Sequence, residues 1–220
     1  MLLFPMSEER SMDFFPAPPG PPDGDEPPEP PQPVWMGAPE DVLPGVVPVE
    51  LVLGRSASTV VMLTGMRAFP TGLQMNLSVR VRGKAARRDL NSEVFDGPYS
   101  HDMDADWQAK RLKWGFEMAD GRRVTNVDPW PRQPNEDHSR PHHPDDWRWE
   151  PNHPVLMGGG GGGGSSSVDR DYWLWPLPPA GPLRVVCQWL DQDIAVQVQD
   201  LDAVPFLEAA ARAQPAWPSA

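Results

Sequence analysis

The chain has 220 residues, a formal net charge of −12, 30 prolines and one cysteine. Such an acidic chain repels phosphate backbones, which argues against general nucleic-acid binding. A lone Cys187 permits no intramolecular disulfide, and no apolar run reaches the roughly 20 residues that a membrane helix needs.

The opening Met1–Pro5 is apolar for only a few residues before Glu8 and Glu9, so no signal peptide is expected. These features together predict a cytoplasmic protein. Charge is uneven: residues 1–50 set Arg10 against ten acids, whereas residues 51–127 carry a net +4. Residues 1–33 are dominated by proline and acid and cannot bury enough apolar surface to offset the entropy of ordering. A disordered, extended head is predicted there, a spacer that also contains PxxP spacing in Pro27–Pro31.

Order is expected from Val34-Trp35 onward. Val46–Leu53 and Ser58–Met66 read as strands, joined by a turn at Gly54–Ala57. Leu73 to Val81 then alternates without a slip: Leu73, Met75, Leu77, Val79 and Val81 are apolar, and Gln74, Asn76, Ser78 and Arg80 are polar. Side chains of a strand point to opposite faces in turn, so this is a half-buried strand of an antiparallel sheet. Residues 83–109 lose the pattern and read as a surface excursion with a short helical turn. Leu112–Met118 and Arg122–Val127 form a hairpin about Asp120-Gly121, for which a type I′ turn is expected.

Residues 128–153 are polar and broken by proline, an irregular insertion. Val155–Met157 reads as a short strand. Seven glycines and three serines follow without interruption, Gly158 to Ser167, and a flexible loop at 158–167 is predicted. The remaining segment is too short to fold alone, so it must complete the same sheet. Strands are expected at Tyr172–Leu177, Leu183–Leu190 and Ile194–Leu201. A helix is expected over Phe206–Ala213, capped by Asp202, with Leu207 and Ala211 against the sheet. The fold class is therefore all-β: one antiparallel β-sandwich of about eight or nine strands over 34–217, with one short C-terminal helix.

Tyr172-Trp173-Leu174-Trp175-Pro176-Leu177-Pro178-Pro179-Ala180-Gly181-Pro182-Leu183, behind a glycine run, resembles a pattern in uncharacterised bacterial proteins of high-GC genomes. The resemblance covers residues 34–217 and implies no activity and no catalytic residue.

Catalytic motifs are missing: the chain has no G-x-S-x-G, P-loop, G-x-G-x-x-G or H-E-x-x-H. Cys187 falls on the apolar face of a strand, the place of a small core residue rather than a nucleophile. The best reading is a non-enzymatic interaction module without a cofactor, binding a protein partner or a second copy of itself. Its candidate contacts are the loop tryptophans Trp107, Trp130, Trp147 and Trp149 and the basic cluster Arg80, Arg82, Lys84, Arg87 and Arg88. Two other classes compete. Ring stacking on Trp147 and Trp149 would suit a carbohydrate-binding module. His138, His142 and His143, within an Asp-rich and His-rich stretch at 137–153, would suit a metal-dependent hydrolase, although prolines there leave no rigid element to pin ligands.

Overall fold

The computed structural model describes residues 32–83, 90–95, 110–132 and 149–217. These residues build a β-sandwich. The larger sheet holds β2 (Gly45–Val46), β3 (Leu51–Arg55), β4 (Thr59–Phe69), β5 (Gly72–Val81), β8 (Val155–Gly163) and β9 (Ser167–Trp175). Its order is β2-β4-β5-β9-β8, with β3 also paired to β4. The smaller sheet runs β11-β10-β6-β7, from β6 (Lys113–Glu117), β7 (Arg123–Thr125), β10 (Pro182–Trp189) and β11 (Ile194–Asp202). Two short strands, β1 (Val42–Leu43) and β12 (Gln214–Pro215), tie the beginning of the described chain to its end. All these pairings are antiparallel.

The alternation in β5 sets the layer order. Leu73, Met75, Leu77, Val79 and Val81 are all buried, the most exposed at 7 %. They face Trp114 and Phe116 of β6 and Leu183, Val185, Cys187 and Trp189 of β10 across one apolar core. Burying a large apolar side chain stabilises by about 1.5–3 kcal/mol, so this slab holds the two sheets together.

Several expectations change. The first strand is two: Pro48 supplies no backbone N–H, and the chain pairs against β4 only on either side of it, at Gly45–Val46 and Leu51–Arg55. The Asp120-Gly121 turn is not type I′. Gly121 alone has positive φ, at 82°, and its N–H donates to Met118 O at 2.9 Å, the geometry of a type I turn closed by a glycine bulge. The excursion at 83–109 is not wholly on the surface, because α1 (Leu90–Phe95) sends Leu90 and Val94 into the core. The C-terminal helix α2 spans Val204–Ala210 and buries Phe206, Ala209 and Ala210 rather than Leu207 and Ala211. Asp202 Oδ1 accepts the Val204 N–H at 3.0 Å, one residue ahead of the cap position at Ala203.

The glycine run departs most from its expected form. Gly158–Gly163 are strand, not loop: Gly161, Gly162 and Gly163 pair with Arg170, Asp169 and Val168. A ladder needs only backbone N–H and C=O groups, which glycine has in full, and β9 is already fixed on its other side by β5. The turn is confined to Gly164–Ser166. Strands on both sides of the glycines therefore lie in one sheet.

Candidate functional site

The sandwich has a second apolar cluster outside its core. Trp35, Phe69, Val155, Met157 and Trp173 are buried together on the outer face of the larger sheet, with Met36, Val42, Trp149 and Trp175 packed around them. Two indoles fasten it: Trp35 Nε1 donates to Trp149 O at 2.8 Å and Trp173 Nε1 to Val34 O at 3.1 Å. Trp149 stands edge-on to Trp35 with centroids 5.6 Å apart, and Trp130 does so at 6.0 Å. A buried tryptophan with a satisfied N–H is a rigid post, so Trp35 fixes both neighbours.

Trp130 itself is 40 % exposed and stands on the rim of a cleft of about 160 Å³. Val124–Asn126 of β7 and its exit with Asp128 line one side and His153–Gly158 leading into β8 the other; the buried Leu156 and Tyr172 lie deepest, beside Arg170. The cleft lies where the two sheets end. β7 closes the smaller sheet and β8 the larger, and among the described residues neither free edge pairs with another strand.

Most polar side chains here are used in holding the cleft open. Asn126 Oδ1 accepts the Trp114 N–H at 2.8 Å, and Asn126 Nδ2 donates to Leu112 O at 3.1 Å. Asp128 accepts the Thr125 N–H and hydroxyl, both at 2.7 Å. Arg170 Nη1 donates to Val94 O at 3.1 Å, binding the last turn of α1, and its guanidinium lies 5.2 Å from the Tyr172 ring centre. Tyr172 packs edge-on to Trp114 at 4.8 Å, and burial pushes its phenol pKa up, against the pull of Arg170. His153 lies exposed at the mouth.

The other candidate residues are spread out. Arg80 lies on the outer face of the larger sheet and pairs with Asp169 at 2.9 Å. Burial would raise the Asp169 carboxyl, but the Ser78 hydroxyl and Arg80 outweigh it and hold the pKa below the ordinary value. Arg82 donates to Ala57 O at 3.1 and 2.8 Å, so both arginines grip their own sheet. Lys84, Arg87, Arg88, Trp107, Trp147, His138, His142 and His143 lie outside the described residues. Among the described residues no three His, Cys, Asp or Glu side chains gather as a metal group would. Burial pushes the Cys187 thiol up to about 12, so it is protonated and unreactive in the core at neutral pH. No helix of the described residues is long and apolar enough to cross a membrane.

The sequence reading passed over Trp35, Leu156, Arg170 and Tyr172 as site residues. Each looks like ordinary strand or loop, and the cleft forms only when β7 and β8 meet. Comparison with family models, with curated proteins and with solved structures finds no match, so the chemistry of the site rests on its geometry.

Proposed function

We propose that the protein is a non-enzymatic interaction module that takes an apolar side chain of a protein partner into the cleft between β7 and β8. One observation carries the reading: an open cleft of about 160 Å³ with a floor of Leu156 and Tyr172 and a half-open tryptophan, Trp130, on its rim. A void of about 150 Å³ is enough for a benzene-sized apolar group. Tryptophan beside a small apolar pocket is the usual make-up of a binding hot spot. Asn126, Asp128 and Arg170 around it each bond a backbone group, which suits recognition by shape more than acid–base chemistry.

The test is selection of peptides from a random display library on the full chain, counter-screened on Leu156→Trp, which fills the floor. The reading expects peptides with a shared apolar residue that bind the native chain and lose binding to Leu156→Trp and Trp130→Ala. Absence of any such class, or equal binding to Leu156→Trp, would contradict it.

A further inference from the structure

We infer that the protein pairs with a second copy of itself through the outer face of the smaller sheet, about a two-fold axis that runs along the strands. This surface meets the cleft only at Thr125 and is independent of what the cleft binds. Strand register arranges its outward side chains in rows across the sheet. One row is a charge ladder: Asp200 of β11, Arg184 of β10, Glu117 of β6 and Arg123 of β7. Arg184 Nε donates to Asp200 at 3.0 Å and its Nη1 to Glu117 at 2.9 Å, and Arg123 donates to the other Glu117 oxygen. The neighbouring row, Val198, Val186, Gly115 and Thr125, carries no charge. Val198 is 47 % exposed there, and Val196 beyond it on the same face of β11 is 59 % exposed.

The order of signs selects the occupant. Minus, plus, minus, plus is its own complement when reversed. Two sheets packed face to face keep their strands nearly aligned, and a two-fold along those strands lays the ladder on its own reverse. Asp200 then faces the partner's Arg123, and Arg184 faces the partner's Glu117, each contact occurring twice. A two-fold lying along the ladder would instead set each charge on its like, so the charges favour one of the two arrangements. The ends of the ladder have room for this: the Asp200 and Arg123 side chains are 73 % and 76 % exposed. The same rotation lays Val198 over the partner's Thr125 and Val186 over the partner's Gly115, which removes exposed valine from water. A face four strands wide and five residues long is roughly 19 by 17 Å. That is less than half of the ~800 Å² that each side of a standard interface buries, so the pair is weak and reversible. The net charge of −12 repels a second copy at long range, and salt at about 0.15 M screens that repulsion.

The experiment is sedimentation equilibrium of the full chain in that salt, from about 10 μM to about 1 mM, where weak pairs are populated. Arg184→Glu turns the row into minus, minus, minus, plus; Glu117→Arg turns it into minus, plus, plus, plus. In either variant alone, two of the four facing pairs become like-charged, and self-association is expected to weaken about tenfold or more. In an equimolar mixture of the two variants every facing pair is opposite in sign, so the mixed dimer is expected to form at least as well as the native one. Damage to the fold would not be repaired by mixing. A native chain that stays monomeric across the range would overturn the inference. So would association indifferent to both reversals, as pairing through the free edge of β11 would be, or weakened by both and not restored in the mixture. Association abolished by Leu156→Trp would move the contact to the cleft and overturn this face, while leaving the cleft a binding site.

Discussion

Gly158 and Arg170 occupy one space that only glycine can share. A Cβ on Gly158 would lie 2.3 Å from Arg170 Nη2 and 2.5 Å from its Cζ. The bare backbone lets the guanidinium lie beside Tyr172 and reach Val94 O. Helix α1, strand β8 and the cleft floor are thus coupled through one arginine.

Gly158→Val is expected to displace the flexible end of Arg170 and lose its bond to Val94, at a cost of about 1–3 kcal/mol. Gly160→Val meets open space and replaces a strand glycine with a β-former, so it is expected to stabilise by about 0.5–1 kcal/mol. Urea unfolding of the two variants checks the contrast. Equal effects would mean that Arg170 does not occupy this place.

Gly45 bears directly on α2. A Cβ there would lie 1.9 Å from Ala209 O, which is backbone and cannot swing aside. Gly45→Ala is expected to push the helix off β2 and destabilise by about 1–3 kcal/mol in chemical denaturation.

Thr59 Oγ1 donates to Gln192 Oε1 at 2.7 Å, and both residues are buried, 133 positions apart. Thr59→Val leaves a buried acceptor without its donor and is expected to cost about 1–3 kcal/mol. Adding Gln192→Leu should recover part of that loss, because both ends are then apolar. A double-mutant cycle by denaturant unfolding measures the coupling; additive losses would refute it.

The alkaline limb of stability follows from Cys187. Its thiol is held at about 12 by burial, whereas an unfolded thiol has a pKa near 9. Above pH 9 the unfolded chain releases this proton and the folded chain does not, so stability falls as pH rises from about 9 to about 12. Tyr172, whose pKa burial raises above 10, adds in the same sense. Cys187→Ala should flatten the thiol contribution in a series of unfolding curves against pH. At neutral pH the native chain should resist thiol reagents until denatured.

Alternation makes the fold legible in the sequence itself. Leu73–Val81 names its own buried face, and Leu183, Val185, Cys187 and Trp189 do the same, because a strand with one wet face writes its period into the sequence. What composition alone misjudged was Gly158–Gly163, since glycine predicts the freedom of an isolated chain and says nothing of a ladder offered by β9. Leu90 and Val94 were missed because a helix of six residues carries too little periodicity to stand out. The cleft had no local signal: Val124, Leu156 and Tyr172 come from three separate strands, and their meeting is a property of topology.

The claim beneath all of this is that the strands before and after the glycine run share one sheet. Cross-strand backbone contacts in an NMR spectrum test it most directly. The account predicts contacts joining Leu77 to Arg170, Val79 to Val168 and Gly161 to Arg170, in the register of β5, β9 and β8. Sharp glycine signals at random-coil positions, with no contact between β5 and β9, would contradict it.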